Sequence, residues 1–132
     1  MKAYAADLWQ RAKKALLVAR ATVALDSDAA ASRAYYAAFY AVSAHFALEG
    51  RTFTKHSAVT AAVHRDLVKT GIWTKALGGG YSRLHQLRNT GDYGGAQHVP
   101  PEQAEGAVQT AADILQAVAG AHPETFTGLD KS

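Results

Sequence analysis

The chain has 132 residues, of which 48% are hydrophobic and 19% charged, a composition typical of one globular domain with a sizeable core. It contains no cysteine, which excludes disulfide frameworks and thiolate metal sites and favours a reducing, cytoplasmic compartment. The net charge of +3 is uneven: residues 1–75 carry 11 Lys and Arg against 5 Asp and Glu, and residues 76–132 carry 3 against 6, an imbalance that could steer polyanions but that solvated helix faces also produce.

No membrane or export segment is expected. Residues 1–17, MKAYAADLWQRAKKALL, are interrupted by charged side chains, so they lack the apolar stretch of a signal peptide. No apolar run elsewhere reaches membrane-spanning length.

Helical spacing of apolar residues predicts an all-α, up-and-down bundle of four to five helices. The first helix is expected from Ala3 to Leu25. LDSD then interrupts the pattern, and Ser27 or Asp28 is the expected N-cap of a second helix that runs from about Asp28 to Leu48 and stops at Gly50.

The second helix carries two kinds of surface. Its large apolar residues are predicted to be core, whereas its alanines would allow another helix to approach closely, and the second helix is where a dimer contact is expected. The large residues are Tyr35, Phe39, Val42 and Phe46; the alanines are Ala30, Ala34, Ala37, Ala41 and Ala44.

The second half of the chain predicts three more helices. The third starts at Lys55 or His56 and ends near Lys69, the fourth covers about Tyr81–Thr90, and the last begins at Pro101 or Glu102 and ends near Val118. Residues 71–80 are expected to be a connection with a flexible Gly-Gly-Gly link. The domain boundary is placed after residue 119, so that residues 1–119 form a single domain and residues 120–132 a tail.

The stretch RNTGDY, residues 88–93, lies where the fourth helix is expected to stop. Arg88 and Asp92 are one helical turn apart and can form an ion pair. One interpretation is an ordinary surface pair, which contributes well under about 1 kcal/mol. The other is a phosphate-binding Arg88 held in place by Asp92, because the planar guanidinium can grip a phosphate with two hydrogen bonds.

Three segments, in this order and spacing, resemble the HEPN family and in particular its small stand-alone bacterial and archaeal members. They are SRAYYAAFYAVSAHFALEG, TKHSAVTAAVHRDLVKTG and LHQLRNTGDYGG. The resemblance covers roughly residues 8 to 118. It implies a helical bundle that forms a homodimer, with the polar motif near the dimer cleft. Many relatives are metal-independent ribonucleases, several are toxins, and many are encoded beside a minimal nucleotidyltransferase.

This chain departs from the ribonuclease motif of the family, in which an Arg is followed after four to six residues by a His. Four residues after Arg88 lead to Tyr93, six lead to Gly95, and the next histidine is His98, beyond a Gly-Gly turn. Metal-independent RNA cleavage needs a base for the 2′-OH proton and a cation for the phosphorane charge. Arg88 can supply the cation.

The base is left open. Free Asp and Tyr titrate near pH 4 and pH 10, so neither Asp92 nor Tyr93 is a ready base. His56 or His98 could act instead, and the sequence does not decide between them.

Further residues that could bind a nucleotide or RNA precede the RNTGDY stretch. Arg33, Tyr36 and Tyr40 recur at helical spacing, where they could bind phosphate and stack a base or simply fill the bundle. Lys55 and His56 stand at a helix start, where backbone N–H groups favour an anion, although His56 could equally be a cap or packing residue.

No metal or cofactor is expected. The remaining histidines lack metal-ligand spacing, and the triple glycine lacks the preceding strand and following Lys of a phosphate loop. We interpret His45, His64 and His85 as ordinary surface or half-buried residues.

Two functions therefore follow from the sequence. The first is a HEPN-type nucleotide- or RNA-binding protein, with catalysis as a metal-independent ribonuclease left open, that works with a nucleotidyltransferase partner in a toxin–antitoxin or stress module. The second is a non-catalytic protein–protein interaction module in which Arg88 and Asp92 form a structural pair.

Overall fold

Five α-helices and one π-helical segment account for most of residues 1–129, the part of the chain that the computed structural model describes. These 129 residues contain no strand, which confirms the all-α prediction. The helices are α1 (Lys2–Thr22), α2 (Ser27–Leu48), α3 (His56–Ala62), α4 (Lys75–Tyr93) and α5 (Pro101–Ala121); the π-helical segment Val63–Val68 continues α3.

Helix α2 lies at the centre of the bundle, where it packs against α1, α4 and α5. Its alanines make this possible, since a side chain of one carbon lets a neighbouring backbone come close. All five predicted small positions are fully buried within the chain. The five alanines are therefore covered by α1, α4 and α5 and are not available to a second copy of the chain.

The start of α2 differs from the predicted cap. Asp26 is the N-cap, and its carboxylate accepts a hydrogen bond from Ala29 N at 3.1 Å. Ser27 and Asp28 instead hold the segment before α5. The Ser27 hydroxyl donates to Val99 O at 2.6 Å, and Asp28 accepts from Val99 N at 2.7 Å.

Helix α4 is much longer than predicted, and the triple glycine is helical rather than a flexible link. Thr74 caps the helix by accepting from Leu77 N at 3.1 Å. A Cβ on Gly78 would lie 2.3 Å from Val68 Cγ2, and one on Gly80 would lie 2.8 Å from Thr110 Cγ2. These glycines therefore serve close packing of α4 against the π-helical segment and α5. At its other end α4 continues through Tyr93, so the whole RNTGDY stretch is helical.

The ends of the first and last helices also differ from expectation. Helix α1 stops at Thr22, three residues earlier than predicted, and leaves Leu25 exposed. Helix α5 runs to Ala121, so the predicted tail boundary falls inside it. After that helix, Phe126 is buried against Trp9, and Trp9 Nε1 donates to Thr127 O at 2.9 Å. Residues 130–132 of the predicted tail lie outside the described residues.

None of the helices in residues 1–129 is long and apolar enough to cross a membrane.

Candidate functional site

Arg88 is the centre of a polar and aromatic cluster on α2, α3 and α4. Its Nε donates to Asp92 Oδ2 at 3.0 Å, and its Nη2 donates to the Tyr36 hydroxyl at 2.8 Å and, more weakly, to that of Tyr93 at 3.4 Å. The side chain is only 14% exposed. The guanidinium is therefore held in one orientation by two helices, which is the preorganisation that a phosphate ligand requires.

Asp92 reaches Arg88 because α4 continues past residue 90, which keeps the two residues one helical turn apart. The same Oδ2 also accepts a hydrogen bond from Ser32 Oγ of α2 at 3.3 Å. The Asp92 side chain is 29% exposed. The Arg88–Asp92 pair is thus half-buried and tied to α2, unlike an ordinary solvated surface pair.

Aromatic rings surround the guanidinium. Arg88 Cζ lies 5.8 Å, 5.4 Å and 5.2 Å from the ring centroids of Tyr35, Tyr36 and Tyr93. A second cation, Arg33, lies over the Tyr36 ring at 4.8 Å. Burial disfavours the charged form of Arg88, but Tyr36, Tyr93 and Asp92 outweigh it and raise the Arg88 pKa. The result is a fixed positive charge beside ring faces, an arrangement suited to phosphate and base contacts.

His56 lies beside this cation at the start of α3. Its ring stacks on Phe39, with centroids 4.4 Å apart and 14° between the planes, and its Nδ1 is 2.6 Å from the Tyr35 hydroxyl. Burial, followed by the charges of Arg88 and His85, lowers the pKa of His56. The ring is therefore neutral at pH 7, which is the form in which a histidine can act as a general base.

His85 belongs to the same cluster and was missed by sequence reasoning. Its ring stacks on Tyr35 at 4.9 Å and 16°, and burial and the Arg88 charge lower its pKa. The signal was present in the sequence, because residues 85, 88 and 92 fall on one face of a helix once that helix is extended beyond residue 90. Phe39 was likewise expected in the core, but it is only partly buried and serves as the stacking partner of His56.

Two buried tyrosines lie beneath the histidines. Burial raises the pKa of Tyr35 to about 12, so its hydroxyl stays protonated at neutral pH. Tyr81 is fully buried, its ring centroid is 6.1 Å from that of Tyr35, and its hydroxyl has no hydrogen-bond partner among the described residues. Such a group costs free energy, and a small shift of the Tyr35 hydroxyl towards it would relieve that cost.

The structure brings together most of the residues that the sequence selected. We call Arg33, Tyr36, His56, Arg88, Asp92 and Tyr93, together with His85, the Arg88 cluster. Lys55 directly precedes His56 and its side chain is exposed. His98, the other candidate base, lies elsewhere: it is 70% exposed, and its Nδ1 is 2.6 Å from Asp28 Oδ2. The hydrogen bond from Val99 N, followed by that from His98, lowers the pKa of Asp28.

Within residues 1–129 no three His, Asp or Glu side chains are grouped closely enough to hold a metal ion.

Two comparisons relate the chain to known proteins. It matches the family described as "HEPN domain" over residues 5–121. It is also similar to a UPF0332 protein of Thermotoga maritima, with 43% identity over 89 residues that cover 67% of each chain.

Proposed function

This chain belongs to the HEPN domain family, and we propose that it binds the phosphate of a nucleotide or of RNA at the Arg88 cluster. The observation that carries the proposal is the fixed guanidinium of Arg88, bonded to Asp92 at 3.0 Å and to Tyr36 at 2.8 Å. Arg33 adds a second cation across the Tyr36 ring. Two arginines and exposed aromatic edges favour a phosphate with an attached base over an isolated anion.

We further propose that Arg88 and His56 can carry out metal-independent RNA cleavage. In that reaction a histidine takes the proton of the 2′-OH, and the 2′ oxygen attacks the neighbouring phosphorus. The bond to the 5′ oxygen then breaks, which leaves a 2′,3′-cyclic phosphate, and the leaving oxygen takes up a proton. Arg88 would stabilise the phosphorane charge, and the exposed Tyr93 hydroxyl beside it would donate to the leaving oxygen.

His56 is the proposed base, and His85 is the alternative base within the cluster. Both have lowered pKa values and are therefore largely neutral at pH 7, as a base must be. His98 is not the proposed base, because its hydrogen bond to Asp28 holds it outside the cluster. Asp92 is proposed as the residue that orients Arg88 rather than as the base.

Cleavage of end-labelled total RNA in EDTA tests the proposal, with wild type compared with Arg88→Ala. Arg83→Ala is the matched control, since Arg83 is an exposed arginine of the same helix outside the cluster. The proposal is supported if the wild type and Arg83→Ala cleave the RNA and Arg88→Ala does not. No cutting by the wild type would reject the ribonuclease activity, and undiminished cutting by Arg88→Ala would reject the role of Arg88.

We also propose that the protein acts as a homodimer together with a minimal nucleotidyltransferase, in a toxin–antitoxin or stress module. The resemblance to small HEPN proteins supports this. Light scattering measures the molar mass of the purified protein and so tests for the dimer. Co-expression with a nucleotidyltransferase encoded beside it, followed by purification of one partner through the other, measures the pairing.

A second candidate function rests on one observation: Arg88 donates to Asp92, Tyr36 and Tyr93, all within the same chain. Such a guanidinium could serve only to join α4 to α2 in a non-catalytic interaction module. Salt separates the two functions. Phosphate binding should weaken steeply as salt rises, whereas an apolar contact with a protein should not.

A further inference from the structure

A cavity of about 290 Å³ lies beside the Arg88 cluster and is separate from it. It opens between the first turns of α1, the middle of α2 and the segment after Gly50. Neither Arg88 nor His56 lines it. Its walls are rich in aromatic rings, contributed by Tyr4, Phe39, Tyr40 and Phe53.

Two of these rings connect the cavity to the cluster. Phe39 lines the cavity and stacks on His56 with centroids 4.4 Å apart. Tyr40 lines the cavity and lies 5.9 Å from the ring of Tyr36, whose hydroxyl accepts the 2.8 Å hydrogen bond from Arg88. Tyr36 therefore contacts both a wall of the cavity and Arg88.

Polar groups stand among the rings. Ser43 provides a hydroxyl, and Arg51 provides a guanidinium that is fixed by Asp66 at 2.7 Å and lies over Phe53 at 5.5 Å. Arg51 pairs with the carboxylates of Asp66 and Glu49. Arg11, the other arginine of the lining, pairs with Asp7 of the same wall, so each arginine has a carboxylate partner and the cavity is not another anion site. Its stacking surfaces and its few directed donors and acceptors suit a planar heterocycle with polar edges.

We propose that this cavity binds the nucleobase of the ligand whose phosphate is held by Arg88. The inference rests on the proposed function and adds the place where the base binds: the ligand, a nucleotide either free or within RNA, is recognised by its base as well as its phosphate. Phe39 and Tyr40 supply the stacking faces, and Ser43 and Arg51 contact the base edge.

Calorimetric titration of the full chain with ATP and with inorganic tripolyphosphate tests the inference. Tripolyphosphate carries at least as much negative charge as ATP but no base, so tighter binding of ATP measures the base alone. We expect the wild type to bind ATP at least about tenfold more tightly, as a single stacked base can provide.

Ser43→Phe, which fills the cavity, should reduce the affinity for ATP to that for tripolyphosphate and leave the latter unchanged. Tyr40→Ala, which removes one wall, is a second variant in case the first fails to fold. Ala76→Phe is the matched control, because it adds the same ring at an exposed position of α4. Single-stranded hexaadenylate distinguishes the source of the base: weakening by Ser43→Phe points to RNA, and unchanged binding points to a free nucleotide.

The possible failures are distinguishable. Two outcomes would overturn the inference alone, provided that Arg88→Ala still abolishes binding of both ligands. The first is equal affinity of the wild type for ATP and tripolyphosphate, and the second is ATP binding that survives both cavity variants. Binding of neither ligand, or tripolyphosphate binding that is unchanged in Arg88→Ala, would overturn the proposed function and the inference with it.

Discussion

His56 Nδ1 lies 2.6 Å from the hydroxyl of Tyr35, and this contact decides which nitrogen of His56 is available as a base. If Nδ1 carries the proton and donates to Tyr35, the Nε2 lone pair is free to accept a proton. If the Tyr35 hydroxyl donates to Nδ1, the neutral ring carries its proton on Nε2 and cannot accept another there. The proposed role of His56 as the base requires the first arrangement, in which Tyr35 can turn its proton towards the partnerless Tyr81 hydroxyl.

The first prediction concerns this tautomer. In the neutral protein, ¹⁵N chemical shifts should show His56 protonated at Nδ1, and Tyr35→Phe should abolish the preference while the ring stack with Phe39 remains. Loss of the hydrogen bond should cost about 1 kcal/mol of unfolding free energy. Protonation at Nε2 in the wild type would remove His56 as the base and leave His85.

The second prediction concerns Asp92. Asp92→Asn keeps the size of the side chain but removes the charge that holds Arg88 at 3.0 Å. We expect a loss of stability of about 1 kcal/mol or less, because the pair is only half-buried, and a weaker affinity for tripolyphosphate because the guanidinium is no longer held. Chemical denaturation and calorimetry measure the two effects. An affinity unchanged in Asp92→Asn but lost in Arg88→Ala would show that Arg88 needs no orienting partner.

The third prediction uses salt. If Arg88 and Arg33 both contact phosphates, the logarithm of the affinity for single-stranded RNA should fall linearly with the logarithm of salt concentration. Each contact with a single strand contributes a slope of about −0.7, so Arg88→Ala should make the total slope less negative by roughly that amount. Arg83→Ala should leave it unchanged. A wild-type slope near zero would favour the protein interaction module.

The fourth prediction compares two neighbouring glycines of α4. Gly78→Ala places a Cβ 2.3 Å from Val68 Cγ2, so it should destabilise the fold by roughly 1–3 kcal/mol. Gly79→Ala meets nothing within 4 Å and should stabilise the helix by roughly 0.5–1 kcal/mol. Denaturant titrations of the two variants measure the difference. Equal effects would contradict the close packing of α4 on the π-helical segment.

The fifth prediction concerns acid. His45 Nδ1 lies 2.8 Å from His122 Nε2, and burial lowers the pKa of His45 despite the nearby carboxylate of Glu49. His56 and His85 have lowered pKa values as well. The unfolded chain therefore binds more protons than the folded chain below about pH 6.5, the usual histidine pKa, so stability should fall as the pH drops below that value.

Thermal unfolding at pH 7 and pH 5 measures this loss. His45→Gln should reduce the difference between the two melting temperatures, because the glutamine cannot acquire a charge beside His122. An unchanged difference would show that His45 does not contribute to it.

Much of the site could be derived from the sequence. Arg88 and Asp92 are four residues apart, and that spacing implies a contact in any helix that contains both. Arg33 and Tyr36 are three residues apart, so the helical period also places them on one side of α2. His85 was missed although it lies in the predicted fourth helix, because the histidines were tested for metal-ligand spacing and not for the helical face that residue 85 shares with residues 88 and 92.

The sequence by itself determined the helical class, the order of the helices and the family, because apolar periodicity and motif order are properties of the chain as written. Only the tertiary structure decided what each face contacts. Periodicity cannot tell that the alanines of α2 are covered within the same chain, that Phe39 stacks on His56, or that His98 is held by Asp28. Those outcomes depend on which helix lies opposite, and close packing of the glycines and alanines of this bundle sets that arrangement.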